Sequence, residues 1–160
     1  MSEAAAAQVV PNAVVRQLAV LRAAMLHSLR TDLLDRPLLG STKAVQAYLA
    51  SAMAHDTVEQ VRMLLLDARL HLIDDVVLSS GTAHEAPLYP REIARRCFDV
   101  GAVGLILAHN HPSGNCEPSS HDIAATTRLA ATLAGLEISL HDHVIVAATG
   151  AMSMRARGLL

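Results

Sequence analysis

The sequence predicts an α/β domain, a mixed β-sheet sandwiched by helices and preceded by a short helical extension. Three observations point there. Apolar residues recur at three- and four-residue steps up to about residue 30, the pattern shortens from residue 59 to runs of strand length, and helix-length segments bounded by Pro and Gly separate the later runs.

Each element follows in order. Residues 13–30, AVVRQLAVLRAAMLHSLR, read as an amphipathic helix, because Val14, Leu18, Leu21, Met25 and Leu29 fall on one stripe. That stripe needs a cover, either the main domain or another copy of the chain. Pro37 and Gly40 in DRPLLGST break the pattern, and Ser41 or Thr42 caps a short helix around KAVQAYLASAM. Residues 1–40 thus make the helical extension and 41–160 the main domain. VRMLLLD (61–67) and LIDDVVLSSG (72–81) are strands, joined by ARLH as a hairpin. YPREIARRCFDVG is a helix with Pro90 at its start and Gly101 after its end. AVGLILAH (102–109) does not alternate, so it is a strand buried on both faces. PSSHDIAATTRLAATLAG forms the next helix, with Ser119 or Ser120 as N-cap and Gly135 as terminator. EISLHDHVIVAA and AMSMRA close the chain as two strands joined around Gly150.

Composition narrows the function. A chain of 160 residues suits one domain with a real core. With 52% apolar residues but one Phe, two Tyr and no Trp, that core is aliphatic, and stacking platforms for single-stranded nucleic acid are missing. A net charge of −2 and a pI near 6.5 supply no field for a polyanion. Cys97 and Cys116 form no CxxC pair, the opening MSEAAAAQ carries an acidic residue where a secretory signal needs a basic one, and Arg16, Arg22 and Arg30 interrupt the first apolar stretch. A cytoplasmic setting with free thiols and no membrane association is expected.

The chemistry concentrates in LILAHNHPSGNCEPSSHDI, residues 105–123. In a strand His109 and His111 leave one face together while Asn110 leaves the other. Pro112, Ser113 and Gly114 turn the chain, and Asp122 arrives at the start of the next helix as a third ligand. Two imidazoles and one carboxylate leave a fourth position open, which is the donor set of a catalytic zinc rather than a structural one. Water in that position has its pKa lowered toward about 7. Simpler roles exist for each part: histidines at a strand end face solvent, and an Asp at a helix start serves the helix dipole. Cys116 as a fourth ligand or nucleophile lacks the HAE and PCxxC pattern of zinc deaminases.

The joint pattern says more. His-x-His, seven residues, Ser119, two residues and Asp122 resembles the JAMM motif of the JAB/MPN metalloproteases, and the RadC branch most closely. YPREI (89–93), LILAHNHPSG (105–114), PSSHDI (118–123) and DHVIV (142–146) carry the likeness, which spans residues 41–160 and more faintly the helix before them. The resemblance implies the JAB/MPN architecture, which is similar to that of cytidine deaminases. It also implies one Zn2+ held by His109, His111 and Asp122. Glu59, at the mouth of the first strand, takes the family's general acid/base position, for which Glu92 and Glu117 compete. Ser119 is expected to hydrogen-bond the oxyanion, and Asp142 and His143 to orient a ligand. The implied reaction is hydrolysis of a peptide or isopeptide bond in a peptide or protein substrate.

An alternative is a DNA-associated accessory protein with a structural or vestigial metal site. RadC-like proteins commonly carry a helix-hairpin-helix region before this domain, and the first 40 residues are too short to hold one. His121 and His141 depart from the family pattern and are expected to contribute nothing. The apolar N-terminal helix leaves a homodimer open, and SSGTAHEAPLYP is expected to build one wall of the cleft.

Overall fold

Residue parity along the strands builds the domain. The computed structural model describes residues 11–34, 37–40, 42–80 and 88–160. In β1 (Gln60–Leu66), Val61, Met63 and Leu65 leave one face while Leu64 and Leu66 leave the other, and all five are buried. A strand apolar on both faces needs a layer on each side. On one face α1 (Asn12–Leu34) and α2 (Thr42–Met53) pack against Leu64, Leu66, Ile106, Ala108, Val144 and Val146. On the other, α3 (Pro90–Val100) and α4 (Ser120–Ala134) cover Val61, Met63, Leu65, Leu105 and Leu107. The result is a mixed five-stranded sheet between two helical layers.

Five strands run in the order β2-β1-β3-β4-β5, with β2 Leu72–Ser80, β3 Gly104–Asn110, β4 Ser139–Ala147 and β5 Gly150–Ser153. Only β3 and β4 are parallel, because α4 returns the chain between them; the two short connections give antiparallel pairs. The carboxyl end of β3 therefore opens beside the start of α4, the kind of place where sheets flanked by helices hold ligands.

Several ends differ from the sequence reading. The first helix runs longer, from Asn12 to Leu34, and its second half joins the core through Leu26, Leu29 and the fully buried Leu33. Ser41, one of two proposed caps of α2, lies outside the described residues, as do residues 81–87 of the proposed cleft wall. The strand expected at 102–109 spans 104–110. Gly101, at φ 71° after α3, is the left-handed stop that the sequence predicted. Gly135 is not left-handed; α4 ends there in right-handed geometry, and the chain turns at Glu137 with φ 58°. Gly104 has a different reason to be glycine, since a Cβ there would stand 2.4 Å from the His141 ring.

One polar lock ties α2 to β1 and β2. Tyr48 donates to Asp75 Oδ2, and Arg62 Nη1 reaches the same carboxylate at 2.8 Å. Burial, and then the hydrogen bond to Asp75, push the Tyr48 phenol up to about 12. In the unfolded chain it ionises from about pH 10, so between about pH 10 and 12 the unfolded state binds fewer protons and folding weakens as pH rises. The expected loss is of order 2 kcal/mol across that window. Urea unfolding of wild type and Tyr48→Phe checks it: the variant loses that slope.

Candidate metal centre

Three ligand groups meet where β3 ends. His109 is the penultimate residue of β3 and His111 follows the strand, so strand parity sends both rings toward α4, and their Nε2 atoms lie 2.8 Å apart. Asp122 sits in the first turn of α4, with Oδ1 3.5 Å from His109 Nε2 and Oδ2 3.6 Å from His111 Nε2. The three ligand atoms all lie within 4.8 Å of one another. Donors bound tetrahedrally at about 2.0–2.1 Å stand roughly 3.3 Å apart, close to the spacing between each imidazole nitrogen and the carboxylate.

Hydrogen bonds from behind fix which nitrogen faces the centre. Thr126, one turn beyond Asp122 on α4, donates to the Asp122 carbonyl at 2.6 Å. Its single proton is thus used, and its oxygen accepts from His143 Nδ1 at 2.6 Å. His143 Nε2 is then an acceptor for His109 Nδ1 at 2.7 Å, which leaves the His109 Nε2 lone pair aimed at Asp122 and His111. For His111, Nδ1 donates to the Asn115 carbonyl at 2.8 Å, again leaving Nε2 inward. Two inward nitrogens at contact distance need a cation between or beside them, either a proton or a metal ion.

Electrostatics agree with that arrangement. Burial holds His109 down at about 4, and burial also keeps His143 well below the ordinary histidine range, so both rings are neutral near pH 7. The hydrogen bond to Asp122 raises His111, so of the three rings it is the one that takes up a proton most readily. Burial disfavours the Asp122 carboxylate, but hydrogen bonds from His111 and Ser119 outweigh it and keep the group ionised.

Ser119 is the N-cap of α4. Its Oγ donates to Asp122 Oδ2 at 2.7 Å and accepts from the Asp122 backbone N–H, while the Ser119 N–H donates to Oδ2 at 2.8 Å. This capping box does two jobs. It starts the helix and it aims Asp122 Oδ1 at His109.

Glu59 stands just before β1, two residues ahead of Val61, which pairs with His109. It lines a cleft of about 580 Å³ together with His109, His111, Ser119 and Asp122. Asn110, leaving the other face of the sheet, holds the glutamate's segment: its Oδ1 accepts from the Gln60 N–H at 2.8 Å, and its Nδ2 donates to the carbonyls of Asp56 and Val58. The competing glutamates are spent elsewhere, Glu92 on Arg95 and Arg96, and Glu117 on both Arg157 Nη atoms at 2.7 Å.

The remaining residues divide. His143 touches His109, whereas Asp142 points away by parity and accepts from Ser153 Oγ, Arg155 N and its neighbour's N–H, tying β4 to the turn after β5. His121 lines the outer cleft; His141 lies at the far end of the sheet over Gly104. Cys116 packs beside Ile145, Met152 and Met154. Asn110 and Thr126 were not singled out from sequence as parts of the centre. Thr126 stood four residues after Asp122, one helical turn along the same face, and that spacing was the available signal.

A mixed sheet between helical layers with a His-His-Asp cluster at a strand's carboxyl end defines a domain of the JAB/MPN fold. The family model of the RadC-like JAB domain matches residues 39–159, and the chain belongs to that family. A UPF0758 protein of Rhodobacter capsulatus is 42% identical over 151 residues, covering 94% of this chain and 71% of the relative. A UPF0758 protein of Ruegeria pomeroyi is 38% identical over the same length, 94% of this chain and 67% of the relative. Among the described residues no helix is long and apolar enough to cross a membrane.

The hydrogen-bond chain behind His109 carries a prediction. Thr126→Val removes the acceptor for His143 Nδ1 and leaves a buried N–H without a partner. Loss of such a partner behind a metal ligand costs about 10- to 100-fold in affinity. Competition with a chromophoric chelator measures it, and Thr126→Ser restores most of the loss.

Proposed function

We propose that the chain is a zinc-dependent hydrolase of peptide or isopeptide bonds. The observation that carries this reading is the convergence of His109, His111 and Asp122 in a cleft that Glu59 also lines. Zinc held by these three groups supplies a Lewis acid that brings the pKa of water toward about 7. Glu59 takes the water proton and hands it to the leaving amine, a role that needs a carboxylate near but outside the ligand set. Ser119 Oγ, at the rim of the ligand set, donates to the oxyanion of the tetrahedral intermediate once its single proton turns from Asp122 Oδ2, which the Ser119 N–H continues to hold. Val61, Leu88, Ala125 and Leu129 line the cleft with apolar surface suited to an aliphatic side chain of the substrate.

The test is direct. Zinc-loaded protein is incubated with peptide and isopeptide libraries, and new amine termini are counted with and without a chelator. Chelator-sensitive cleavage is the expected result. Salt-sensitive DNA binding that survives His109→Ala, with no cleavage of any library member, overturns the reading in favour of a DNA-associated accessory protein.

A further inference from the structure

The first helix joins the core only through its second half. Leu26, Leu29 and Leu33 meet the core, and Arg22 closes that contact by donating to the Ala52 carbonyl in the last turn of α2 at 2.8 Å. N-terminal to Arg22 the core-facing stripe has run past the end of α2. Yet the sequence stays apolar: Val14, Val15, Leu18, Val20, Leu21 and Met25 are 40 to 68% exposed. At those exposures the four that share one face, Val14, Leu18, Leu21 and Met25, leave on the order of 400 Å² of apolar surface in water, the range of a functional patch on a monomer, while Val20 turns away from them.

The pattern within that surface selects a partner. Val14, Leu18, Leu21 and Met25 are spaced four, three and four residues apart, the seam of a paired helix. The spacing reads the same in both directions, so an antiparallel second copy places Leu18 opposite Leu21 and Val14 opposite Met25. Neither arginine opposes this. Arg16 lies on the far side of the helix from the seam, and Arg22 is held against the domain by the Ala52 carbonyl and by Asp56 at 3.7 Å. Two such seams remove on the order of 800 Å² from water, the size of a weak, concentration-dependent interface. We propose that the N-terminal half of α1 pairs antiparallel with the same segment of a second copy, making the protein a two-fold dimer.

Sedimentation of the purified chain between about 5 and 200 µM tests it, with a dimer expected in the upper part of that range. Leu21→Glu raises the dissociation constant at least a hundredfold, while its circular dichroism stays that of wild type because the position is 65% exposed. Orientation is read by disulfide trapping in a Cys116→Ala background. Val14→Cys crosslinks to Met25→Cys when the two variants are mixed, and neither crosslinks to itself, because like positions stand about 16 Å apart along antiparallel helices. A monomer at every concentration, a dimer untouched by Leu21→Glu, or crosslinks between like positions overturns the proposal.

Discussion

Glu59→Gln leaves metal binding at the wild-type level and lowers kcat by about 10² to 10⁴, the range that a positioned general base supplies. The amide keeps the size of the side chain and its place on the cleft wall, so KM changes little. Glu59 lines the cleft without belonging to the ligand cluster, which is why metal content and turnover separate in this variant. Asn110 makes the separation clean, because its bonds to Asp56, Val58 and Gln60 fix the backbone on both sides of residue 59 whatever side chain it carries. Single-turnover cleavage, with metal content measured on the same sample, checks it. Wild-type turnover in Glu59→Gln places the base elsewhere.

His111→Ala acts on the other half of the account. Removing one of three ligands lowers zinc affinity by about 10³-fold or more, judged against the 10–16 kcal/mol that four-ligand zinc sites reach. The pH dependence changes with it. In the metal-free chain Asp122 raises the pKa of His111, so a proton at Nε2 competes more strongly with the ion. Affinity is full above that raised pKa and falls about tenfold per pH unit as pH drops through it. In His111→Ala this competing proton is gone and that part of the slope disappears. Zinc titrations from pH 5 to 8 distinguish the two proteins.

Much of the fold was legible because its signals are local. Pro90 and Gly101 bracket α3, Ser119 caps α4, and the unalternating run from Leu105 to Ala108 marks a strand covered twice. Gly135 stops α4 as the sequence predicts, in right-handed geometry, and the left-handed turn falls two residues further on, at Glu137. The clustering of His109, His111 and Asp122 was readable from parity and spacing, whereas Glu59 was placed by the resemblance to the JAB/MPN family. The chain Thr126–His143–His109 was not readable, because it joins three elements and depends on register: Leu107, not His109, pairs with His143 across β3 and β4. Asp142 shows the same limit. It neighbours His143 in sequence, but alternation along β4 turns it to the opposite face.

The measurement closest to the centre of this account is calorimetric titration of chelator-treated protein with zinc. One ion per chain is predicted, with binding abolished in His109→Ala and retained in Glu59→Gln. Zinc that binds wild type and His109→Ala alike, or that fails to bind wild type, contradicts it.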